Sequence, residues 1–176
     1  ICDVDEERVK EVAKLHHIPE EKCYTDYQEV LALDSVEAVS IALPDQIHRE
    51  IAVAAMRAGK HVFCEKPMAL SNADCKAMME AEKETGVKFM IGQICRYTPS
   101  FKKTKEILEE GLIGDLVMIE SEYAHDYGPT ASKGWRMTPE RHIVIGGGCH
   151  AIDLIRWLAG NPEEVCAYSN HIFQPT

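Results

Sequence analysis

The sequence lacks two features that mark large classes of protein. No apolar run approaches the roughly 20 residues that a membrane-spanning helix needs. Positive charge is scarce, because 19 Lys and Arg stand against 29 Asp and Glu, for a formal net charge of −10. Since this charge repels phosphate groups, we expect neither a nucleic acid nor a membrane surface as the partner.

Paired cysteines are also missing. The number of cysteines is odd and none forms a C-x-x-C pair; the seven are Cys2, Cys23, Cys64, Cys75, Cys95, Cys149 and Cys166. This pattern favours a reducing compartment over a disulfide framework, so we expect a cytoplasmic protein. A zinc site at Cys149 and His150 lacks a second ligand pair at the usual spacing, so we expect no metal.

The first part of the chain alternates helix and strand patterns. Residues 36–43 form an almost unbroken apolar run, typical of a strand buried on both faces of a parallel sheet. Residues 61–64 and 87–91 predict further strands, and the apolar spacing and end signals predict helices at 5–17, 27–33, 46–58, 71–84 and 99–110. This order predicts an α/β fold, a Rossmann-type doubly wound parallel sheet with ligands at the carboxyl ends of its strands.

The pattern changes after Gly114. Residues 116–123 predict a strand of a second sheet, residues 149–158 a helix, and residues 165–168 the start of another strand. We therefore predict a dinucleotide-binding domain at 1–113 and an incomplete α+β substrate and oligomerisation domain at 114–176.

Two charged residues lie at predicted strand ends: the opening Ile1-Cys2-Asp3 is typical of the end of a strand, and Lys66 follows the strand predicted at 61–64. Asp3 can accept hydrogen bonds from the adenosine ribose and would repel a 2′-phosphate, which favours NAD over NADP; the alternative is a capping or solvent-exposed acid. Lys66, in Glu65-Lys66-Pro67, has an ammonium that can polarise a carbonyl or orient a hydroxyl. The alternative is an exposed loop lysine paired with Glu65.

Three glycines, 146–148, precede Cys149 and His150, and let the backbone approach a ligand closely. His150 falls in the first turn of the predicted helix, where the helix dipole favours the neutral imidazole that a general base requires. Asp153 is three residues further on and is predicted to orient His150 from the same helix face. The alternative is a glycine-rich turn with a capping histidine.

These motifs together resemble the glucose–fructose oxidoreductase/inositol dehydrogenase/MocA family. Residues 39–44, His48 and residues 58–67 are similar to its central signature, and residues 89–99, 111–114 and 146–153 are similar to later segments. The resemblance implies an NAD(P)-dependent dehydrogenase acting on sugars, inositols or related polyols and ketones, with NAD preferred, and a homo-oligomer at full length.

The resemblance also implies roles for single residues. Lys66 and His150 would be catalytic, and Asp3 would contact the ribose. The other positions implied to line the cofactor are Leu43, Pro44, His48, Glu65 and Gln93, and those implied to lie near the substrate are Arg96, Trp135 and Arg136. From the residues alone, His48 also fits a hydrogen-bonded structural role.

Two departures from the family pattern keep other functions open. The glycine-rich phosphate loop should precede Ile1, so we expect a piece of a longer protein, cut at both ends, that binds cofactor poorly as it stands. Gly146 stands where many relatives carry an aspartate. The alternatives are a catalytically silent cofactor-binding sensor of the same fold, and a lyase or hydrolase that uses NAD without net redox change.

Overall fold

A computed structural model of the chain describes residues 1–125 and 134–169. The helices of the described chain are α1 (Glu6–His16), α2 (Tyr27–Leu31), α3 (His48–Arg57), α4 (Asn72–Thr85), α5 (Pro99–Glu109), α6 (Ile143–Gly146) and α7 (Cys149–Ala159). The strands are β1 (Ala38–Ile41), β2 (His61–Cys64) and β3 (Phe89–Ile91). Short 3-10 turns lie at Glu20–Lys22, Asp45–Ile47, Ile94–Tyr97 and Gly134–Met137. The helices and strands predicted before Gly114 are confirmed, with ends that shift by a few residues.

Local chemistry sets the ends of these helices. The Asp5 side chain accepts a hydrogen bond from the backbone N–H of Arg8 at the start of α1, and Ser71 caps α4 in the same way. Such caps satisfy backbone donors that have no partner inside the helix. Gly86 ends α4 with φ of +70°, a conformation that costs glycine little.

The three strands form a parallel sheet, as predicted, and their order is β1-β2-β3. Ala38 pairs with His61, and Val62 pairs with Phe89. Helix α3 contacts β1 and β2 and packs on α4. The core of this layer consists of fully or nearly fully buried residues from the sheet and both helices: Ile41, Ala52, Ala55, Met56, Val62, Cys64, Met78 and Ala81. Of the apolar run at 36–43 only Ile41 is among these buried residues, and Ala38 and Ser40 of β1 are exposed, so the prediction that this strand is buried on both faces is wrong for the described chain.

The chain divides into two compact units. The first comprises residues 1–92 and 126–146, and the second residues 93–125 and 147–176. The first contains the sheet, and the second contains α5, α7 and the turn Ile94–Tyr97. These ranges differ from the boundary near Ile113 that the sequence suggests, and the division into domains at 113 stays a prediction.

Two strands predicted in the second unit are absent from the described structure. Residues 116–123 and 165–168 have no strand structure, and Val117 and Tyr168 are each 96% exposed. A strand requires a hydrogen-bonded partner, and the described part of the chain places none beside either segment. The apolar pattern alone does not supply that partner.

None of the helices within residues 1–125 and 134–169 has the length and apolar character needed to cross a membrane.

Candidate functional site

In the first unit, Lys66 reaches the start of the glycine run. It follows the end of β2 by two residues, and its Nζ donates a hydrogen bond to the carbonyl oxygen of Gly146 at 3.1 Å. Its backbone N–H donates to Oε2 of Glu65 at 3.2 Å, and the bond to Pro67 is cis. The fold thus joins two predicted motifs that lie 80 residues apart in the chain.

His48 holds the loop after β1 against the turn after β2. The ring is fully buried, its Nδ1 lies 2.9 Å from the carbonyl oxygen of Pro67, and its Nε2 lies 2.9 Å from that of Leu43. Both ring nitrogens are therefore used inside the protein. The role that the structure gives His48 is structural, and a contact with cofactor stays a prediction.

A buried ion pair joins the loop after β1 to the segment that leads into the glycine run. Nε of Arg141 donates to Oδ2 of Asp45 at 2.7 Å, and the two side chains are only 9% and 3% exposed. The guanidinium lies so close to Gly146 that a Cβ built there would be 2.5 to 2.7 Å from its atoms. This pair was not predicted from the sequence, because 96 residues separate its members and no local motif links them.

The same segment carries Trp135 and Arg136, which were predicted to lie near the substrate. Nε2 of Gln46 donates to the carbonyl oxygen of Trp135 and to Oγ1 of Thr138, both at 2.8 Å. The guanidinium carbons of Arg136 and Arg141 lie 4.3 Å and 5.1 Å from the centre of the Trp135 ring. Cation–π contacts of this kind hold the segment in place, and a substrate contact stays a prediction for both residues.

In the second unit, His150 is a buried residue in the first turn of α7, with 6% of its surface exposed. Sγ of Cys95, from the turn Ile94–Tyr97, lies 3.5 Å from Nδ1 of His150. The Tyr123 ring is tilted against the imidazole, with 5.3 Å between their centres. The sequence analysis did not identify Cys95 as a partner of His150.

Arg96 and Asp153 form a bidentate pair in the same unit. Nε and Nη2 of Arg96 donate to the two carboxylate oxygens of Asp153 at 2.7 Å and 2.6 Å, and these hydrogen bonds raise the pKa of Arg96. The structure thus gives Asp153 a different partner from the predicted His150. The reason is that a planar guanidinium matches a carboxylate with two parallel hydrogen bonds.

Two further residues predicted to bind the cofactor, Asp3 and Gln93, have side-chain oxygens that can accept hydrogen bonds. Asp3 accepts a hydrogen bond from the backbone of Asp5 at 3.0 Å and lies 3.7 Å from Arg8, at the surface. Oε1 of Gln93 is buried and has no hydrogen-bond partner among the described residues. Because a buried acceptor without a partner is costly, Gln93 fits a donor on a bound ligand.

The backbone at Gly92 passes close to the side chains of Phe63 and Glu65. A Cβ at Gly92 would lie 3.3 Å from the Phe63 ring and 3.4 Å from Oε1 of Glu65, so a larger residue here would require the Phe63 ring to shift by a few tenths of an ångström. Within the described ranges, no three His, Cys, Asp or Glu side chains are grouped to hold a metal ion.

Comparison with known families identifies the chain. Residues 1–93 match the family model described as an oxidoreductase family with an NAD-binding Rossmann fold, and residues 101–175 match the GFO/IDH/MocA C-terminal domain. The chain belongs to the GFO/IDH/MocA oxidoreductase family. The Rossmann-type fold and the family resemblance of the sequence are thereby confirmed.

Relatives in the GFO/IDH/MocA family include enzymes named for sugar and inositol oxidation. Levoglucosan dehydrogenase of Pseudarthrobacter phenanthrenivorans is 33% identical over 155 residues, which cover 84% of this chain and 39% of the relative. Inositol 2-dehydrogenase of Salmonella typhimurium is 33% identical over 159 residues, which cover 90% and 45%. The GFO/IDH/MocA chain described here therefore spans less than half the length of these relatives.

Solved structures give the same picture. A levoglucosan dehydrogenase in complex with NADH and levoglucosan matches with a TM-score of 0.78 and 30% identity, covering 91% of this chain and 44% of that chain. An oxidoreductase domain protein from Kribbella flavida matches with a TM-score of 0.82 and 30% identity, covering 90% and 43%.

Proposed function

We propose that the protein is an NAD-dependent dehydrogenase that moves a hydride between a nicotinamide cofactor and a CH–OH carbon of a sugar, inositol or related polyol. The observation that carries the proposal is the hydrogen bond from Lys66 to Gly146, which orders an ammonium at the carboxyl end of β2. The proposal is also supported by similarity, because relatives in the family are named levoglucosan dehydrogenase and inositol 2-dehydrogenase.

The cofactor would be held by residues of the carboxyl-end loops, with residues 1–113 as the binding domain. Asp3 would receive the ribose hydroxyls, while Leu43, Pro44 and Glu65 would line the nicotinamide side, and the buried Oε1 of Gln93 would accept a hydrogen bond. When bound, the nicotinamide ring supplies or accepts the hydride.

Lys66 would stabilise charge on the substrate oxygen. Its side chain is half-buried, and the Gly146 carbonyl holds the ammonium in one direction before substrate arrives. A donor that is already oriented costs no reorganisation when charge develops on the oxygen that becomes a carbonyl, and such preorganisation is the main source of electrostatic catalysis. The ammonium has three N–H donors, so it can keep the bond to the Gly146 carbonyl and donate a second one to the substrate oxygen.

His150 would accept the hydroxyl proton as the C–H bond gives up its hydride and the C=O bond forms, and would return it in the reverse direction. Cys95 lies beside Nδ1 of His150, so we propose that this thiol helps to orient the ring. Asp153 would act through Arg96, which it fixes for a contact with the substrate.

Substitution of Lys66 and His150 tests the proposal in the complete protein. We expect Lys66→Met and His150→Asn each to lower kcat for polyol oxidation by about 10²- to 10⁴-fold, because each removes a group that acts in the transition state. NADH binding, measured by fluorescence, should change little. Lys103→Met is a matched control, since Lys103 is a 61% exposed helix residue paired with Glu106.

Full turnover in Lys66→Met would contradict the proposed role. If the complete wild-type protein bound NADH but oxidised no polyol or sugar, the dehydrogenase proposal would fail, and a cofactor-binding sensor would take its place.

We also propose a cytoplasmic location and a homo-oligomeric complete protein. All seven cysteines are free thiols, as expected in a reducing compartment. Exposed apolar side chains such as Val117, Met118 and Val165 in the second unit support association through the C-terminal region.

A further inference from the structure

The Arg141 side chain is largely buried, and its terminal nitrogens are not among the fully buried atoms that lack a partner, so they reach solvent. Only Nε is paired, with Asp45, and the guanidinium also faces the Trp135 ring. The two terminal nitrogens have no hydrogen-bond partner within the part of the chain that the structure describes. A side chain that is 9% exposed and keeps free N–H donors in a fixed orientation is suited to receive an anion.

The free end of Arg141 lies beside Gly146. A Cβ at Gly146 would collide with the guanidinium at 2.5 to 2.7 Å, so the glycine is what allows the arginine to occupy this place. The carbonyl oxygen of the same glycine accepts from Lys66. Two cationic donors thus border one residue.

Net charge does not explain what this cluster would bind. Arg141 and Lys66 are positive, and Asp45 and Glu65 are negative, so the formal charges of the four side chains cancel. What remains is directional: Asp45 fixes the guanidinium through Nε, so the terminal N–H groups have a defined orientation. A carboxylate accepts such a pair of donors in a bidentate geometry, with charge-assisted bonds roughly twice as strong as those of a neutral acceptor.

We propose that Arg141 is a specificity-determining residue that binds a carboxylate on the substrate, so that the preferred substrates are sugar acids rather than neutral polyols. This rests on the proposed dehydrogenase function and names its substrate class. Lys66 is the residue proposed to bind the reacting oxygen of the substrate, and it contacts the same glycine as Arg141. An anion beside Arg141 is therefore better explained as a carboxylate of the substrate than as a phosphate of the cofactor.

Matched acid and amide substrates test the inference in the complete protein. D-glucuronate and D-galacturonate are compared with glucuronamide and galacturonamide, which have almost the same shape without the charge, and with neutral polyols including myo-inositol. We expect kcat/KM to be about 10- to 100-fold higher for the acids, the ratio that one charge-assisted hydrogen-bonded pair supplies.

Variants of Arg141 separate recognition from folding. Arg141→Lys keeps a positive charge beside buried Asp45 but cannot form two parallel hydrogen bonds to a carboxylate, so kcat/KM for the acids should fall about tenfold or more relative to kcat/KM for the amides. The double variant Asp45→Asn/Arg141→Gln removes both charges and avoids a buried unpaired carboxylate; it should abolish the acid preference. Arg57→Met, which breaks an exposed pair with Glu84, is the matched control.

The outcomes distinguish the two levels of the proposal. Oxidation of neutral polyols without acid preference would overturn the inference and leave the dehydrogenase function intact. If Arg141→Lys instead raised the Kd for NADH about tenfold and kept the acid preference, Arg141 would be assigned to a cofactor phosphate. This result would also overturn the inference. No NADH formation with any acid or neutral polyol would overturn the proposed function, and the inference with it.

Discussion

Cys64 shows how the core shapes the chemistry of a single residue. It is the last residue of β2, and its thiol is completely buried. Burial, with smaller effects from the charges of Glu65 and Asp45, raises its pKa from an ordinary value of 9.0 to about 12. The folded protein therefore keeps this thiol neutral in a pH range where the unfolded chain ionises it.

This shift predicts a loss of stability in alkali. Because the folded-state pKa is the higher one, the contribution of Cys64 is complete below pH 9 and is lost as pH rises from about 9 towards 12. Urea unfolding at a series of pH values should show a free energy of unfolding that falls less steeply above pH 9 in Cys64→Ala than in wild type. Cys166→Ala, at an exposed position, should follow wild type, and identical slopes in all three would disprove the shift.

At the scale of elements, helix α4 depends on its N-terminal cap. Oγ of Ser71 accepts from the backbone N–H of Asp74 at 3.1 Å and donates to the Asp74 carboxylate. Ser71→Ala should lower the free energy of unfolding by about 1 kcal/mol, the usual cost of losing such a cap. Denaturant unfolding measures the change, and Ser35→Ala, at an exposed loop position, should change it by less than about 0.5 kcal/mol. Equal values for both would show that the cap contributes nothing.

The helices and strands also differ in how far a local pattern decides them. Helices α1 and α4 were predicted almost to the residue, because their caps and apolar spacing are local in the sequence. Residues 116–123 carry an apolar pattern that predicts a strand, yet they form none. The reason is that a strand is completed by hydrogen bonds to another segment of the chain.

For the whole molecule, this contrast predicts two classes of backbone amide. Hydrogen exchange in the chain should be slow for β1, β2 and β3, which are paired in a parallel sheet over a buried core, and fast for residues 116–123. Exchange reports the free energy of local opening, so amides without partners should exchange near the rate of an unstructured chain. Slow exchange across 116–123 would reveal a strand pairing.

The sequence by itself determined the α/β alternation, the parallel sheet, most helix ends, the family, and Lys66 and His150 as candidates. These depend on periodicity, caps and motifs, which are encoded within short stretches of chain. The tertiary structure alone decided that Lys66 binds Gly146, that Asp153 holds Arg96 while Cys95 lies beside His150, and that Arg141 is buried against Asp45. Such contacts join residues tens of positions apart. A polar group that becomes buried must find a hydrogen-bonding partner, and only the tertiary structure decides which partner is close enough.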